Sequence, residues 1–527
     1  METGFITRRS QWPCRRINGD RPAVSFEDGD TWTHDRLRGR VNAYANALLA
    51  DGVQPGDRVG ILLHNCLEYW ATYLAVMRIG AIAVRLNFRL TADELHFAIN
   101  DSGSTVLCFH SAFAETIGGI RDDLPVRRFI ALESDSGEPR PDWAAAWTML
   151  DAGSAEEPDC PRPTADAPAM LMYTSGTTGR PKGAVWRHAN TLWFTAMQAM
   201  QWGLDEHTVG MTTGPMYHVG AVEDLTSAAL AVGGHAVVLK SGGFSIRRVL
   251  EIVANRRVTD LFLFPFMIYE LAQLDDHQGY DLSSVKRILS GGDPLLPWAT
   301  RTLQERYPWI EIIQVYGLTE GTPIAACSTG EETLAHPESV GRPMPFTEIS
   351  LRNDDGSEAG PGEEGEIWIR GPVVCEGYWQ RPDANRESFT DGWCHTGDLG
   401  RLTDNGLLCI AGRKKDMIRT GGENVYPAEL EDVLMRLAGV REAAVVAVPD
   451  ARFIEAVTAV IVTRDGVSIS PEEIISHCRQ HLAGYKCPRH VAFTDALPRT
   501  PSGKLMKYRL RETYRHLGSE PGSGKTA

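Results

Sequence analysis

The sequence predicts an α/β protein. It predicts a large N-terminal domain of stacked βαβ sheets with a small β-barrel part, followed by a smaller α+β C-terminal domain. The chain has 527 residues, more than a single hydrophobic core normally organises. Helical and strand patterns alternate through its first half, which is typical of parallel sheets covered by helices. Beyond about residue 340, short strands and turns replace that rhythm and predict an antiparallel sheet or small barrel.

The first predicted elements form a βαβ unit with a preceding helix. A helix is predicted over 32–52, where apolar residues recur at helical spacing up to a glycine. A buried strand over 57–63, a helix over 68–80 and a strand over 81–87 follow. The same alternation returns later, and its predicted members are a strand over 235–240, a helix near 245–256, and strands over 259–265, 285–292 and 310–317.

The main domain boundary is placed where four consecutive charged residues, 413–416, follow a glycine. The segment after it contains a GG turn and a helix that begins with proline. The predicted parts are an N-terminal domain 1–412 with its β-barrel part at about 325–412, a C-terminal domain 413–517, and a flexible Gly/Ser/Pro-rich tail 518–527.

Composition excludes several classes of function. The net charge of -15 argues against nucleic acid as a partner, because duplex binding depends on Lys and Arg neutralising phosphates. No segment reaches 18 uninterrupted apolar residues, so no membrane span is predicted. The ten cysteines are scattered without a CxxC pair, which predicts reduced thiols in a cytoplasm and no structural zinc site.

The stretch YTSGTTGRPKG, residues 173–183, is a candidate phosphate-binding loop. It lies between a predicted strand and a strand–helix segment. Glycines let backbone N–H groups converge on an anion, and the hydroxyls and lysine add donors. The composition alone is equally typical of a solvent-exposed turn. The competing GKT at 524–526 lacks the spacing of a Walker loop, since five residues rather than four separate Gly518 from Gly524.

Six further motifs follow this loop in a fixed order. They are PMYHVGA (215–221), SGGDPL (290–295), QVYGLTEG (314–321), WCHTGDLG (393–400), GRKKDMIRTGGENVYPAELE (412–431) and PRTPSGKLMK (498–507). Together with the loop they resemble the adenylate-forming superfamily, which contains acyl-CoA synthetases, luciferases and peptide-synthetase adenylation domains. The resemblance extends from about residue 20 to 515, and the joint order of the motifs makes it specific.

The resemblance implies ATP as a substrate, bound by residues from several motifs. Tyr316 is then expected to stack on adenine, and Asp398 to accept hydrogen bonds from the ribose hydroxyls. The alternatives left open are a local turn for Asp398 and a solvated linker charge for Arg413. The residues assigned to ATP or AMP are Thr174, Ser175, Gly176, Thr177, Thr178, Lys182, Gly291, Gly292, Asp293, Tyr316, Gly317, Asp398 and Arg413.

The resemblance also implies catalytic roles. Thr319 donates to the α-phosphate and Glu320 holds Mg²⁺, a cation that prefers carboxylate and phosphate oxygens. Lys504 bridges the carboxylate and the α-phosphate, with an ordinary surface lysine as the alternative. His218 lines the acyl and thiol route, or is a hydrogen-bonded core histidine. Hydrolase chemistry with Glu223 and Asp224 is unsupported, since no GxSxG elbow is present.

Pocket, hinge and thiol positions complete the implied site. The substrate residues are Val219, Gly220, Phe264, Phe266 and Met267, the hinge residue is Lys415, and the CoA residues are Gly421, Gly422, Tyr485 and Arg489. Two positions depart from the family pattern. Asp293 stands where alanine is usual, and Cys487 where relatives often have a basic residue that meets the CoA phosphate.

The predicted function is that of an ATP-, Mg²⁺- and CoA-dependent acyl-CoA synthetase. A hydrophobic carboxylic acid becomes an acyl-adenylate with release of pyrophosphate, and then a CoA thioester with release of AMP, with domain rotation between the two halves. The segment TGPMYHVGAV (213–222) carries no acidic residue to pair with an amino group, which disfavours amino acids. The alternative is transfer to a carrier-protein phosphopantetheine, and the predicted state is a monomer or homodimer.

Overall fold

The computed structural model describes residues 19–27, 29–134, 137–174, 181–292, 295–360, 362–420, 423–450, 453–499 and 505–519. The strands of these ranges are β1 Pro22–Phe26, β2 Thr31–Thr33, β3 Arg58–Leu62, β4 Ile82–Arg85, β5 Val106–His110, β6 Arg128–Leu132, β7 Ala145–Ala146, β8 Pro168–Thr174, β9 Lys182–Arg187, β10 Val209–Thr212, β11 His235–Val238, β12 Asp260–Phe262, β13 Arg287–Gly291, β14 Glu311–Leu318, β15 Thr322–Cys327, β16 Arg342–Pro343, β17 Glu348–Arg352, β18 Gly365–Arg370, β19 Phe389–Thr390, β20 Trp393–Leu402, β21 Leu408–Arg413, β22 Ile418–Thr420, β23 Glu423–Val425, β24 Val440–Asp450, β25 Ile454–Thr463 and β26 His490–Phe493.

The α-helices of the same ranges are α1 His34–Ala50, α2 Leu67–Arg78, α3 Ala92–Ser102, α4 Ala114–Ile120, α5 Thr148–Asp151, α6 His188–Trp202, α7 Val219–Val222, α8 Thr226–Ala231, α9 Ile246–Arg256, α10 Pro265–Gln273, α11 Pro297–Arg306, α12 Gly330–Ala335, α13 Pro382–Ser388, α14 Pro427–Met435, α15 Pro471–His481 and α16 Lys507–Tyr514. None of the helices within these ranges combines the length and apolar character that crossing a bilayer requires.

Two large, mostly parallel sheets confirm the predicted α/β class. The nine-stranded sheet has the order β16-β15-β14-β13-β12-β10-β11-β1-β2, and the seven-stranded sheet the order β7-β6-β5-β3-β4-β8-β9. In the first, β11, β10, β12, β13 and β14 are successive parallel neighbours. In the second, β8 and β9 form an antiparallel pair on either side of residues 175–181. The alternation of helix and strand patterns therefore identified the architecture.

The largest hydrophobic core lies between the two sheets. The helix α2 contributes to it along almost its whole length, because only Glu68 and Arg78 of its twelve residues are not buried. A helix that is apolar on all sides must be enclosed, and here helix α1 and the sheets enclose it. The predicted helix over 32–52 is α1, which starts at the N-cap Thr33.

Two smaller sheets follow the nine-stranded sheet along the chain, from Glu348 onwards. An antiparallel sheet of β17-β18-β20-β19, extended by β21, begins at Glu348, because β15 and β16 pair into the nine-stranded sheet instead. The last sheet has the order β23-β22-β25-β24, with β26 parallel to β25, and helices pack on it as an α+β unit. The domain boundaries near 325 and at 412/413 stay predictions.

Candidate active site

The candidate site lies at the carboxyl ends of neighbouring parallel strands. His218 and Gly220 follow β10, Phe264 follows β12, Gly291 ends β13, and Thr319 follows β14. Because β10, β12, β13 and β14 are adjacent and parallel, these residues meet along one edge of the nine-stranded sheet. Ligands of open α/β sheets bind at this edge, so the fold itself brings three of the sequence motifs and the Phe264 segment together.

The carboxylate of Glu320 joins the two large sheets. Its Oε1 accepts a hydrogen bond of 2.8 Å from the Thr174 hydroxyl at the end of β8, and one of 3.1 Å from the Tyr378 hydroxyl. Burial and then the Glu320 charge raise the pKa of Tyr378, which keeps this phenol protonated as a donor. The Lys182 ammonium lies 5.0 Å from the centroid of the Tyr378 ring, within cation–π range. Thr174, at one described end of the candidate phosphate loop, therefore bonds Glu320 directly, and Lys182, at the other end, contacts Tyr378.

Thr319 is fixed beside this carboxylate. Thr319 is buried, and its backbone carbonyl accepts a 2.9 Å hydrogen bond from the Trp186 indole of β9. The neighbouring Glu320 carbonyl accepts one of 2.9 Å from the Cys375 N–H. The turn from β14 to β15 is thus held by hydrogen bonds from the seven-stranded sheet and from the segment that contains Tyr378.

A second cluster joins the nine-stranded sheet to the antiparallel sheet. The Tyr316 hydroxyl donates a 2.9 Å hydrogen bond to Asp398 Oδ2, and Arg413 Nε lies 3.0 Å from Asp398 Oδ1. Asp398 and Arg413 are direct cross-strand partners in β20 and β21. Burial, with the Asp398 charge second, raises the pKa of Tyr316 well above its usual value. Asp398 is therefore a residue of strand β20 whose carboxylate has two donors, the Tyr316 hydroxyl and the Arg413 guanidinium.

Glycine is required at the strand ends because the backbone is crowded. A Cβ on Gly317 would lie 2.1 Å from the Thr322 carbonyl oxygen, and one on Gly291 would lie 2.6 Å from that of Val315. Gly292 has φ +98°, a conformation that only glycine adopts without strain. The edge predicted to receive adenine is thus closely packed main chain.

The predicted acyl-pocket residues differ in burial: Phe264 and Phe266 are partly buried, and Met267 is buried. The Phe264 ring lies 3.6 Å from the Cβ position of Gly214 and stacks on Phe266 at 6.4 Å between centroids. Val219 and Gly220 lie in the short helix α7, where His218 Nδ1 accepts a 3.1 Å hydrogen bond from the Gly220 N–H. Met267 is buried in the core, and its sulfur accepts a 3.0 Å contact from the Thr213 hydroxyl.

The predicted CoA and hinge residues lie in the last part of the chain. Tyr485 is exposed, and the Arg489 guanidinium lies 3.6 Å from the centroid of the Phe453 ring. Lys415 lies two residues after the end of β21, and burial lowers its pKa. The remaining predicted site residues fall outside the described residues: Ser175, Gly176, Thr177, Thr178, Asp293, Gly421, Gly422 and Lys504. The roles of all these positions stay predictions.

Sequence reasoning did not select two residues that organise the site. Tyr378 hydrogen-bonds Glu320, although it lies 58 residues further along the chain and outside the recognised motifs. Arg85, at the end of β4, is fully buried and pairs with Glu223 at 2.6 Å. A lone arginine in an apolar strand run was the available signal for the second residue. No local pattern marked the first.

Comparisons with known proteins identify the family of this chain. The AMP-binding enzyme family model matches residues 11–379, and the AMP-binding enzyme C-terminal domain model matches residues 429–504. The chain belongs to the AMP-binding enzyme family. Its members join a carboxylate to AMP before the acyl group is passed on, and this member is an AMP-forming acid–thiol ligase. ATP and CoA are substrates of the family.

Individual relatives cover almost the whole ligase. A feruloyl-CoA synthase of Amycolatopsis sp is 38% identical over 505 residues, which are 95% of this chain and 98% of that protein. A long-chain-fatty-acid–CoA ligase of Mycobacterium tuberculosis is 33% identical over 487 residues, 92% of this chain and 93% of the relative. The solved structure of ATP-bound MatB from Rhodopseudomonas palustris has a TM-score of 0.87 at 29% identity, covering 97% of this chain and 99% of that one.

Proposed function

We propose that this ligase converts a carboxylic acid with a predominantly apolar tail into its CoA thioester. The observation that carries the proposal is the apolar wall beside the candidate nucleotide site. The Phe264 ring packs against Gly214. A Cβ built on Gly214 would lie 3.4 Å from the Ala221 Cβ on the other side. The relatives act on a ring-bearing acid in one case and a long-chain fatty acid in the other, by their names, so both classes are candidates.

In the proposed first half-reaction, a carboxylate oxygen attacks the α-phosphorus of ATP, and the bond from that phosphorus to the bridging oxygen of pyrophosphate breaks. Thr319 donates to the α-phosphate, and Asp398 accepts from the ribose. Lys504 bridges the carboxylate and the α-phosphate as charge develops. Lys182 and the loop 175–180 hold the departing phosphates. Positioning and charge neutralisation dominate such a reaction, so no nucleophilic side chain is needed.

Glu320 fits the role of a magnesium ligand. Both of its described hydrogen bonds use Oε1, so neither occupies Oε2. Among the described residues, no group of three or more His, Cys, Asp or Glu side chains is arranged around a metal position. Mg²⁺ is usually held by one or two carboxylates together with substrate phosphates, which agrees with this single carboxylate. Bound there, the cation would neutralise negative charge on the phosphate oxygens.

In the proposed second half-reaction, a thiolate attacks the carbonyl carbon of the acyl-adenylate, and the bond from that carbon to the AMP oxygen breaks. We propose that the C-terminal part rotates about Lys415 between the two halves, so that Gly421 and Gly422 replace Lys504 at the site. The proposed reaction runs in the cytoplasm, as the scattered cysteines predict, and the enzyme acts as a monomer or homodimer.

The thiol on a carrier protein remains a second candidate acceptor, because one observation favours it. Cys487 is buried, and its thiol contacts the Ala483 carbonyl at 3.6 Å. A buried neutral thiol provides no cation for a CoA phosphate at the position where relatives often have one. A phosphopantetheine arm without the CoA nucleotide has no such requirement.

The test is an acid panel with two competing thiols. Purified enzyme receives ATP, Mg²⁺ and fatty, aryl or alicyclic acids, with either CoA or a phosphopantetheinyl carrier protein. We expect acid-dependent pyrophosphate release and faster thioester formation with CoA. Faster acylation of the carrier protein would favour the second candidate, and the absence of pyrophosphate release with every acid would contradict the proposed function.

Replacing Asp398 by Asn is expected to weaken ATP binding selectively. The substitution removes the anionic acceptor proposed for the ribose, and hydrogen bonds to charged groups contribute about 1.5–3 kcal/mol. The KM for ATP should therefore rise roughly 10- to 100-fold, with the KM for the acid changed by less than about 3-fold. Steady-state kinetics with each substrate varied in turn measure both values.

The matched control is Asp404→Asn, an exposed aspartate in the turn between β20 and β21. It should leave both constants unchanged. If Asp398 only holds Tyr316 and Arg413 in place, Asp398→Asn will lower the unfolding temperature and change both KM values alike, which would contradict the ribose role.

A further inference from the structure

Asp224 is a buried carboxyl group next to the pocket helix α7. The residue is 4% exposed, and its Oδ1 has no hydrogen-bond partner among the described residues. A Cβ built on Gly220 would lie 3.3 Å from Asp224 Oδ2 and 3.4 Å from His218 Nδ1. Gly220 and Asp224 are four residues apart, so they lie on the same face of the helical turn. The Asp224 carboxyl group therefore lies against Gly220, next to His218.

The nearby cation is already engaged by another carboxylate. Arg85 Nη1 lies 2.6 Å from Glu223 Oε2, and the Tyr73 hydroxyl donates to Glu223 Oε1 at 2.9 Å. Burial, with the Glu223 charge second, raises the pKa of Asp224 well above its usual value. Burial therefore favours the neutral form of this carboxyl group, which has an O–H donor as well as an acceptor. A buried polar group without a partner costs free energy, so its retention needs a reason.

The backbone immediately after Asp224 is strained. Leu225 has φ +57° and ψ -52°, and the Thr226 N–H donates to the Asp224 carbonyl at 2.6 Å. This is a γ-turn with positive central φ, the rare and strained form. The Leu225 N–H donates to Gln198 Oε1 at 2.7 Å, which holds the turn. Strain of this kind persists where the surroundings impose it, often at ligand sites.

Among the described residues, small and aromatic groups continue the wall beyond Asp224. Going from Asp224 towards β12, the contacts pass through Gly220, Ala221 and Gly214 to the Phe264 ring. The glycines keep side chains out of this space. An acid with a wholly apolar tail would cover the Asp224 carboxyl group without satisfying it, whereas a tail with a hydroxyl or carbonyl group would pair with it.

We propose that Asp224 is a specificity-determining residue that hydrogen-bonds a hydroxyl or carbonyl substituent on the tail of the acid. The preferred substrates are then acids whose otherwise apolar tail, aromatic or aliphatic, bears one such group. This inference rests on the proposed function, because it takes the wall from Gly220 to Phe264 as the acyl pocket.

The test compares matched acids that differ in one hydroxyl group. The pairs are cinnamic acid with its 3- and 4-hydroxy derivatives, and octanoic acid with 8-hydroxyoctanoic acid, each assayed for kcat/KM by pyrophosphate release. Sites built to hydrogen-bond a substrate hydroxyl discriminate strongly against analogues that lack it. We expect the native enzyme to favour the hydroxylated member of at least one pair by on the order of 100-fold.

Two variants assign that preference to Asp224. Asp224→Leu removes donor and acceptor at similar volume and should abolish the preference, chiefly by lowering the KM of the unsubstituted acid. Asp224→Asn keeps polar atoms and should retain part of the preference. Its ratio of kcat/KM between the hydroxylated and the unsubstituted acid should be at least 10-fold below that of the native enzyme. Thermal unfolding of each variant reports whether it folds, and Asp224→Asn decides the matter if Asp224→Leu does not.

Each contrary outcome has a distinct meaning. Equal kcat/KM within every pair, with normal pyrophosphate release, overturns the role of Asp224 and leaves the proposed function intact. An unchanged preference in a folded variant does the same. No pyrophosphate release with any acid overturns the proposed function and this inference together.

Discussion

Replacing Arg85 by Met is expected to lower the free energy of unfolding by about 3–5 kcal/mol, because one partner of a buried ion pair is removed. Arg85 and Glu223 have side-chain exposures of 0% and 1%. Arg85 Nη2 also donates to the carbonyls of Met216 and His218, the latter at 2.9 Å. The substitution leaves the Glu223 carboxylate with the Tyr73 hydroxyl but without its cation, removes the Arg85 donor from two carbonyls, and releases the segment that carries His218. Urea unfolding measures the loss.

The pH dependence of that loss separates charge from packing. Burial already raises the pKa of Glu223, and Arg85 opposes the rise, so the pKa increases further when Arg85 is removed. A group whose folded pKa exceeds its unfolded value loses stabilisation as the pH rises. The deficit of Arg85→Met relative to the native enzyme should therefore be smaller at pH 5 than at pH 8. A deficit below about 1 kcal/mol, the range of surface pairs, would contradict the assigned role.

Two further variants complete the comparison. In Arg85→Met with Glu223→Met, the buried charge is gone and only the carbonyls lack a donor, so part of the stability returns. Arg342→Met removes a surface arginine that lies 3.0 Å from Glu332 and is half exposed, and it should cost less than about 1 kcal/mol. A double variant no more stable than Arg85→Met would show that the carbonyl contacts, and not the ion pair, dominate.

Local periodicity carried most of the fold prediction. The strand over 57–63 and the helix over 68–80 correspond to β3 and α2, because apolar spacing reports burial directly. Strand pairing between distant segments was not readable in the same way. The start of the barrel part at about 325 stays a prediction. The pairing of β15 and β16 with the nine-stranded sheet depends on which sheet edge the chain meets after β14.

The site was predictable where motifs end parallel strands and not where contacts are long-range. Tyr316 and Asp398 were selected separately, and the structure joins them across 82 residues. The sequence interpretation considered Glu223 with His218 as a hydrolytic group. In the structure Arg85, 138 residues away, takes the Glu223 carboxylate. Such pairs form only after two sheets pack, and one chain offers no local signal for that event.

Lys504→Ala is expected to lose ATP-dependent pyrophosphate release while retaining thioester formation from a supplied acyl-adenylate. Loss of one electrostatic donor to a transition state typically costs about 10²–10³ in kcat. The second half-reaction does not use this cation in the proposed scheme, so its rate should change by less than about 3-fold. The two half-reactions are measured separately, as pyrophosphate with acid and ATP, and as thioester with acyl-adenylate and CoA.

The chain provides a matched control three residues further on. Lys507 starts α16, and its ammonium lies 2.7 Å from Glu431, a contact within the C-terminal α+β unit. The residues flanking 500–504 are fixed, since Arg499 pairs with Leu505 and the Met506 N–H donates to the Pro498 carbonyl at 2.8 Å. Lys507→Ala removes a cation from the same segment without touching the proposed chemistry, so both half-reactions should proceed at native rates. Equal losses in both variants would trace the effect to the segment as a whole, and full ATP-dependent activity in Lys504→Ala would contradict its catalytic role.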